Sequence, residues 1–470
     1  MENSSIVFGV ENYCHVKFVG PEGHDNQYHW FSNRDVPLKN GYQLADIISS
    51  GKRVYSIEGL EMYYVLTYKG TTYYFEDLNL STYHLNKYSL SPHYQRIGDN
   101  IGQYMFLIDA GDYGRIPSIR ISPEVMEDVG KGRAIILFNT SYEPYSNEKL
   151  DYLRILNLFA DKYGLKKENF KIVTGNLIVE NDPNLNFEFI PYCYFLEHPW
   201  FVMKESFMGE KYPEFQMEGV KLKFKEKKEE FLEMNKTIVS FDKKILCYQR
   251  RAHPHRRYIF YRLFHNKFLY DNSYSSLNNS DQKFLIDYET QFGETFDESV
   301  RINNFYIENQ FVKEWSFDGN DLDYNLATDF DETFFKKTFV SLISETTSYN
   351  EVIFFSEKIF KPIYACQPFI LISSKGSLNK LKEMGFKTFD KWWDESYDGL
   401  ETLKERYDAI EKILTDLCNK TDTQLINMLN EMEEILSFNY DLFTQTKNEN
   451  FYKTFGSIEL PKTWKPSRLI

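Results

Sequence analysis

The sequence of 470 residues lacks the features that mark several broad classes of protein. Its few cysteines lie far apart and form no C-x-x-C pair: Cys14, Cys193, Cys247, Cys366 and Cys418. This odd, scattered set favours reducing surroundings over a disulfide framework. No stretch approaches the roughly 18 consecutive apolar residues of a membrane span, and residues 1–10 lack the basic start and apolar run of a signal peptide. We therefore expect a cytoplasmic chain without a membrane span.

Motifs of the common catalytic classes are also missing from the sequence. It has no Walker A motif, no G-x-G-x-x-G and no G-x-S-x-G, which disfavours kinase, dehydrogenase and hydrolase activities. The nine histidines show no metal-ligand spacing. A formal net charge of −14 disfavours broad contact with nucleic-acid backbones, although it is compatible with a local basic groove.

What the chain does contain is enough apolar sequence for two cores. Hydrophobic residues make up 42% of the sequence and aromatic residues 17%, and no low-complexity tract indicates disorder. The length exceeds what one hydrophobic core usually organises. We therefore expect two domains of roughly 200 residues each, with a cleft between them.

The first part of the chain is expected to be rich in β-structure. Residues 62–75 place β-favouring residues on both sides of a Lys69-Gly70 turn, which predicts a hairpin. Residues 104–108 and 134–138 are short apolar runs, which are typical of buried parallel strands.

A βαβ unit is predicted after the second of these runs. Ser146 is a suitable cap for a helix that ends at Tyr163, with Gly164 as its stop. Residues 170–173 supply the next strand. The N-terminal lobe, residues 1–238, is therefore expected to contain a parallel sheet covered by helices.

A second α/β series begins after a charged helical stretch. Its predicted strands are residues 244–247, 339–343 and 368–372, and its predicted helices are residues 258–264, 356–365, 377–384, 400–417 and 421–438. We expect a C-terminal lobe at residues 239–440 and a tail at residues 441–470 that packs back. The predicted fold class is α/β, with two lobes facing a central cleft, a β-rich N-terminal part and a helical C-terminal end.

The first candidate site is a basic run between a predicted strand and a predicted helix. It reads Gln249, Arg250, Arg251, Ala252, His253, Pro254, His255, Arg256 and Arg257. Pro254 suits the first turn of a helix, where backbone N–H groups and the macrodipole attract anions. Because a guanidinium fork binds phosphate oxygens in pairs, Arg250, His255 and Arg256 are candidate phosphate ligands. The alternative is a surface loop whose arginines pair with acidic residues.

The second candidate site joins a strand end to a helix start about ten residues later. Its candidate residues are Glu345, Thr346, Ser356, Glu357, Lys358 and Lys361. Ser356 is a natural N-cap, which places Lys358 in the first turn, where a lysine is electrostatically unfavourable. A nucleoside diphosphate would turn that penalty into attraction, with Glu357 accepting hydrogen bonds from ribose and Lys361 reaching the same anion. The alternative is an ordinary solvated first turn.

The second site carries a family resemblance. Residues 356–368, with residues 385–389 and 394–398, resemble glycosyltransferase-like proteins common in phages and large viruses. They are more distantly similar to the donor-binding half of the α-1,3-fucosyltransferase family. The resemblance covers roughly residues 244–400, but Ala252 and His253 depart from the phage-type pattern, which often has proline and arginine there.

This resemblance implies a GT-B glycosyltransferase built from two Rossmann-like lobes. In the fucosyltransferase family a Glu-Lys pair and an upstream arginine hold the nucleotide-sugar, which points to Glu357, Lys358 and Arg256. Glu345 and Thr346 are then expected to line the sugar pocket. No bound cofactor is expected, and the co-substrate is a GDP- or UDP-linked sugar. A GT-B enzyme needs no metal, because side chains and a helix N-terminus offset the charge on the departing diphosphate.

The acceptor side of such a reaction needs a general base if the sugar is inverted. Glu143 and Asp109 are candidates because each follows a predicted strand of the N-terminal lobe, and His198 is a third. Each of the three is alternatively an exposed loop residue. The expected acceptor is a hydroxyl of a glycan or surface polysaccharide.

Three alternatives remain open. Two D-x-D pairs, Asp321/Asp323 and Asp329/Asp331, suggest a metal-dependent GT-A enzyme, although no strand closely precedes them. A phage-type DNA glycosyltransferase that acts on hydroxymethylated bases is the second alternative. The third is a non-catalytic carbohydrate-binding protein.

Overall fold

The chain divides into two compact units. A computed structural model describes residues 8–10, 13–19, 27–32, 53–55, 62–68, 71–77, 94–96, 102–109, 121, 123–141, 144, 150–196, 217–278, 286–308, 332–445 and 449–461. The first unit comprises Met1–Thr174, Val179–Tyr192 and Phe451–Ile470, and the second comprises Gly175–Ile178 and Cys193–Asn450. Each unit contains its own parallel sheet.

The first unit contains a parallel and an antiparallel sheet. Its described strands are β1 (Phe8–Val10), β2 (Tyr13–Val19), β3 (Gln27–Ser32), β4 (Arg53–Tyr55), β5 (Met62–Tyr68), β6 (Thr71–Asp77), β7 (Tyr94–Arg96), β8 (Tyr104–Asp109), β9 (Ala134–Thr140), β10 (Phe170–Thr174) and β11 (Glu188–Pro191). The parallel sheet has the order β11-β10-β9-β8-β1-β7. The antiparallel sheet has the order β3-β2-β6-β5-β4.

The predicted hairpin belongs to the antiparallel sheet. Strands β5 and β6 pair from Tyr64 opposite Phe75 to Tyr68 opposite Thr71, which confirms the prediction. The Lys69-Gly70 turn itself lies outside the described residues.

Apolar sequence places β8, β9 and β10 in the middle of the parallel sheet. Every residue of β9 is buried, as expected for a parallel strand covered on both faces. Helices α1 (Pro123–Gly130) and α2 (Leu150–Tyr163) share the core of this sheet, where Leu156 and Phe159 of α2 meet Phe138 and Phe170. The predicted strands and βαβ unit are confirmed. The predicted cap Ser146 lies outside the described residues.

The described part of the second unit consists of one parallel sheet and many helices. Its described strands are β12 (Lys243–Arg251), β13 (Ser273–Asn278), β14 (Thr338–Ser344) and β15 (Phe369–Ile372). Its described helices are α3 (Met217–Thr237), α4 (Pro254–His265), α5 (Lys267–Asp271), α6 (Tyr288–Phe292), α7 (Phe296–Glu308), α8 (Glu332–Lys337), α9 (Glu357–Tyr364), α10 (Ser377–Glu383), α11 (Leu403–Asn419) and α12 (Asp422–Gln445). A last helix, α13 (Glu449–Gly456), begins in the second unit, and its residues from Phe451 onwards belong to the first unit.

The four strands described in the second unit are arranged in the order β13-β12-β14-β15. All three pairings are parallel, and Ser341 of β14 lies opposite both Leu246 and Phe369. With the sheet of the first unit, this confirms the predicted α/β class. Strand β13 was not predicted, because serines replace the usual apolar run; two of them, Ser273 and Ser275, bond to each other through their hydroxyls at 2.7 Å.

The long charged helix α3 packs against α12 in the second unit. The hydroxyl of Tyr440 donates to the carbonyl of Phe224 at 2.8 Å, and Lys228 forms an ion pair with Asp441 at 2.5 Å. Helix α3 therefore lies inside the second unit, although the lobe boundary predicted from sequence follows it at residue 238. None of the described helices combines the length and apolarity needed to span a bilayer.

Replacing Gly164 with alanine tests the stop of α2. Gly164 has a φ of +64°, in the left-handed region that an L-residue disfavours, so Gly164→Ala should lower the free energy of unfolding by about 1 kcal/mol. The matched control is Gly130→Ala at the end of α1, where among the described atoms a Cβ meets nothing within 4 Å and φ is ordinary. There alanine should be neutral or stabilising by up to about 1 kcal/mol in urea unfolding. Equal losses at the two positions would contradict the left-handed stop.

Candidate functional site

Two strand-to-helix junctions begin at the same edge of the second unit's sheet. Strand β12 runs through Ala252 and His253 into α4, and Pro254 takes the first helical position, as predicted. Strand β14 ends at Ser344, and residues 345–356 lead to α9. Because β12 and β14 are parallel neighbours, both junctions follow carboxyl ends of strands, which is where α/β proteins bind ligands.

The backbone carbonyl of Glu345 lies within hydrogen-bond distance of two side chains in the first turn of α4, those of His255 and Arg256. His255 Nε2 lies 2.8 Å from this oxygen, and Arg256 Nη2 donates to it at 3.0 Å and to the carbonyl of Ser344 at 3.5 Å. Carbonyl groups buried at the strand end require donors, and Arg256 supplies them here. The direct contact predicted between Arg256 and a phosphate stays a prediction. Arg256 is only 2% exposed, so its guanidinium fixes α4 to β14.

His255 is held in its neutral form. Burial lowers its pKa well below the usual range, and the positive charge of Arg256 lowers it further. A neutral imidazole next to a carbonyl oxygen must place its proton on Nε2, since a carbonyl can only accept. His255 therefore serves as a hydrogen-bond donor to Glu345 at neutral pH.

The carboxylate of Glu345 binds the second junction. It is fully buried, and its two oxygens accept from the N–H of Ser356 at 3.2 Å and from the hydroxyl of Ser356 at 2.5 Å. The N–H of Thr346 adds a third donor at 3.3 Å. Burial raises the pKa of Glu345, against the lowering effects of Lys358 and Ser356. The protein's own chain encloses this carboxylate, and the sugar-pocket role predicted for Glu345 stays a prediction.

Ser356 caps α9, as predicted. Its backbone is extended, and its hydroxyl oxygen accepts from the N–H of Lys358 at 3.3 Å and from the Lys358 ammonium at 3.1 Å. The ammonium also donates to Glu357 Oε1 at 2.7 Å. The penalty expected for a lysine in this turn is therefore offset within the turn itself. Lys358 is 23% exposed, which makes it more accessible than Arg256.

Glu357 is ionised at neutral pH. Burial alone would raise its pKa, but the charges of Lys358 and Lys361 lower it to about 2. The two helix starts form a cluster of charged side chains. It contains three cations and two carboxylates: Arg256, Lys358, Lys361, Glu345 and Glu357. When both carboxylates are ionised, the cluster has an excess of one positive charge (3 − 2). Such a local excess favours an anion even in an acidic chain.

The remaining arginines of the basic run do not all belong to this cluster. The guanidinium of Arg257 lies over the ring of Tyr306, with 4.2 Å from its carbon to the ring centre, and is buried there. This contact is a cation–π interaction that anchors α4 to α7. The side chains of Arg250 and Arg251 lie outside the described residues, so the phosphate contact predicted for Arg250 stays a prediction.

The N-terminus of α10, a third helix at this sheet edge, is occupied by the chain itself. The two oxygens of Asp398 accept from the N–H groups of Leu378 at 2.9 Å and Asn379 at 3.1 Å. Sequence reasoning did not assign this role to Asp398, because the residue lies 20 positions after Leu378, whose N–H it accepts. An internal carboxylate therefore takes the place that an anionic ligand would have at α10.

The side chains of the predicted acceptor-side residues lie outside the described part of the chain. Asp109 ends β8 opposite Asn139, at the carboxyl edge of the first unit's sheet, but its side chain lies outside the described residues. Glu143, His198 and both D-x-D pairs (Asp321/Asp323 and Asp329/Asp331) also lie outside them. In the described part of the chain, no three or more His, Cys, Asp or Glu side chains are grouped to hold a metal ion.

Comparison with known proteins gives distant structural likenesses. No family model matches the chain, and no curated protein matches its sequence. The chain is similar to an α1,3-fucosyltransferase crystallised with GDP, at 13% identity and a TM-score of 0.31, over 75% of this chain and 84% of the other. It is also similar to the catalytic domain of starch synthase IV from Arabidopsis thaliana bound to ADP and acarbose, at 10% identity and a TM-score of 0.34, over 86% and 87%. At such TM-scores neither likeness bears on function.

The charge of Glu357 predicts how stability depends on pH. Because its folded pKa is lowered, its contribution is complete above the unfolded pKa of 4.5 and is lost as the pH falls towards about 2. The stability difference between the natural chain and Glu357→Gln should therefore shrink by about 1–3 kcal/mol between pH 6 and pH 3 in urea unfolding. Glu383→Gln is the control, since Glu383 pairs with Lys380 on the surface, and its effect should stay within about 0.5 kcal/mol. A pH-independent difference for Glu357→Gln would contradict the assigned ionisation.

Proposed function

We propose that this chain is a glycosyltransferase that uses a nucleoside-diphosphate sugar, and that the diphosphate binds where α4 and α9 begin. One observation supports this most strongly. Arg256 and Lys358 are 102 positions apart in sequence (358 − 256), yet both are connected through hydrogen bonds to Glu345. A positive cluster at the carboxyl edge of a parallel sheet is a recurrent phosphate site in α/β proteins.

Within the proposed site, each residue has a different task. Lys358 is assigned the contact with the diphosphate, because its ammonium is partly exposed and already fixed by Ser356 and Glu357. Arg256, which is buried in the first turn of α4, contributes positive potential without direct contact with the diphosphate. Glu357, which is ionised, is assigned the ribose hydroxyls. Lys361, one turn further along α9, adds to the positive potential.

The proposed reaction is a substitution at the anomeric carbon of the donor sugar. The acceptor hydroxyl oxygen forms a bond to this carbon, and the bond from the carbon to the diphosphate oxygen breaks with its electron pair left on the diphosphate. The hydroxyl proton passes to a base, for which Asp109, Glu143 and His198 are the candidates. Lys358 and the helix N-termini stabilise the charge that grows on the diphosphate, so we propose that no metal is needed.

The finer identity of the substrates is also part of the proposal. A GDP- or UDP-linked donor is the expectation carried by the resemblance of residues 356–368, and a glycan or surface polysaccharide is the proposed acceptor. DNA with hydroxymethylated bases is a weaker acceptor, because the chain carries a net charge of −14.

Binding of nucleoside diphosphates tests the donor site. The diphosphates GDP, UDP and ADP and the monophosphate CMP are titrated separately against the protein. At a concentration of about 100 Kd a bound nucleotide should add about 2.7 kcal/mol of stability. This should appear as a rise of a few degrees in the thermal midpoint for at least one diphosphate. A folded protein whose midpoint responds to none of them does not have the proposed donor site.

Replacing Lys358 tests whether the diphosphate binds at the start of α9, and a control lysine tests for a general effect of positive charge. Lys358→Ala removes a charge-assisted contact, which should weaken diphosphate binding by about 10- to 100-fold and lower turnover with it. Lys380→Ala is the control, because Lys380 has a similar exposure of 27% and also follows a strand of this sheet, in α10. It should leave affinity within about twofold. Glycan binding that survives Lys358→Ala, without any sugar-nucleotide turnover in the natural chain, would favour the non-catalytic alternative.

A further inference from the structure

We propose that Glu345 is a positioning residue, which never touches the donor but sets the location of Lys358 through the hydroxyl of Ser356. This inference rests on the proposed function, because Lys358 is the residue assigned to the diphosphate. It differs from the role predicted by sequence, in which Glu345 lines the sugar pocket.

A buried carboxylate here is more than a helix cap requires. Removing a carboxylate from water is costly unless hydrogen bonds replace the lost hydration, and Glu345 receives donors from Ser356 and Thr346. A serine alone is a sufficient N-cap, since its oxygen satisfies a backbone N–H of the first turn. The carboxylate behind Ser356 therefore has an effect that capping does not explain.

That effect is on the direction of the Ser356 hydroxyl. A serine hydroxyl has one proton and two acceptor lone pairs. Its proton is committed to Glu345 Oε2 at 2.5 Å, so the lone pairs remain for the N–H of Lys358 at 3.3 Å and the Lys358 ammonium at 3.1 Å. Without the carboxylate, the hydroxyl is free to rotate and its proton can point towards the ammonium, which would repel it.

The ammonium is then held from two sides. Ser356 Oγ and Glu357 Oε1 accept two of its three N–H bonds, and the third is the one assigned to the diphosphate. The backbone carbonyl of the same Glu345 binds His255 and Arg256 at the start of α4. One residue therefore fixes Lys358 relative to α4, which is the geometry that a bridging diphosphate needs.

Asp398 provides the comparison that separates positioning from simple stabilisation. It is also a largely buried carboxylate that binds two N–H groups at a helix start on this sheet edge. Its carboxylate accepts from the backbone N–H groups of Leu378 and Asn379. In the described contacts, no serine hydroxyl connects this carboxylate to a lysine. Asp398→Asn should therefore cost stability without moving Lys358.

The experiment compares Glu345→Gln, Ser356→Ala and Asp398→Asn by thermal midpoint and by affinity for the nucleoside diphosphate that stabilises the natural chain most. Glu345→Gln and Ser356→Ala should each weaken binding by about tenfold. Asp398→Asn should change affinity by less than about twofold at a similar loss of midpoint. In the Lys358→Ala background, Glu345→Gln should cause no further loss of affinity, because its effect passes through the lysine.

A second readout does not depend on any nucleotide. Acetic anhydride acylates lysine side chains in their unprotonated amine form. Mass spectrometry measures the rate of acylation at each lysine. The rate at Lys358, relative to Lys380, should rise several-fold in Glu345→Gln and stay unchanged in Asp398→Asn. An unchanged rate at Lys358, or an undiminished effect of Glu345→Gln in the Lys358→Ala background, overturns the positioning role. If no nucleotide binds but the acylation rates change as expected, only the proposed function fails.

Discussion

The arrangement of the candidate site depends on one buried residue at the end of β14. The carbonyl of Glu345 accepts from α4 and its carboxylate accepts from the start of α9, so two helices that are far apart in sequence are tied to one strand end. Polar groups buried at such a point must find partners within the protein, and the first turns of α4 and α9 supply them. The spacing of the cationic side chains follows from this requirement.

Much of this architecture could be predicted from the sequence because it depends on local signals. Apolar runs predicted the central strands, Ser356 predicted the start of α9, and Pro254 predicted the start of α4. Each of these signals acts within a few residues of the element that it specifies. The serine-rich strand β13 was not predicted, because its pairing with β12, and not its composition, makes it a strand.

The roles of individual side chains were harder to predict, for a reason that is also physical. Whether Arg256 meets a phosphate or a carbonyl depends on Glu345, which lies 89 positions away. The contact between Asp398 and the start of α10 likewise joins residues separated by a turn, a helix and a loop. Long-range polar contacts of this kind leave no periodic signal in a sequence. Residue types therefore predicted where the candidate site lies, but the partners of each side chain could be found only in the folded structure.

The ion pair between Lys358 and Glu357 has a consequence for the cycle of the proposed enzyme. Holding a lysine in one rotamer costs up to about 2 kcal/mol of side-chain entropy, and here that cost is met when the chain folds, before any substrate arrives. The same pairing gives the ammonium a resident counter-ion. When the spent diphosphate departs, Glu357 remains paired with the ammonium, so product release does not leave that charge without a counter-ion.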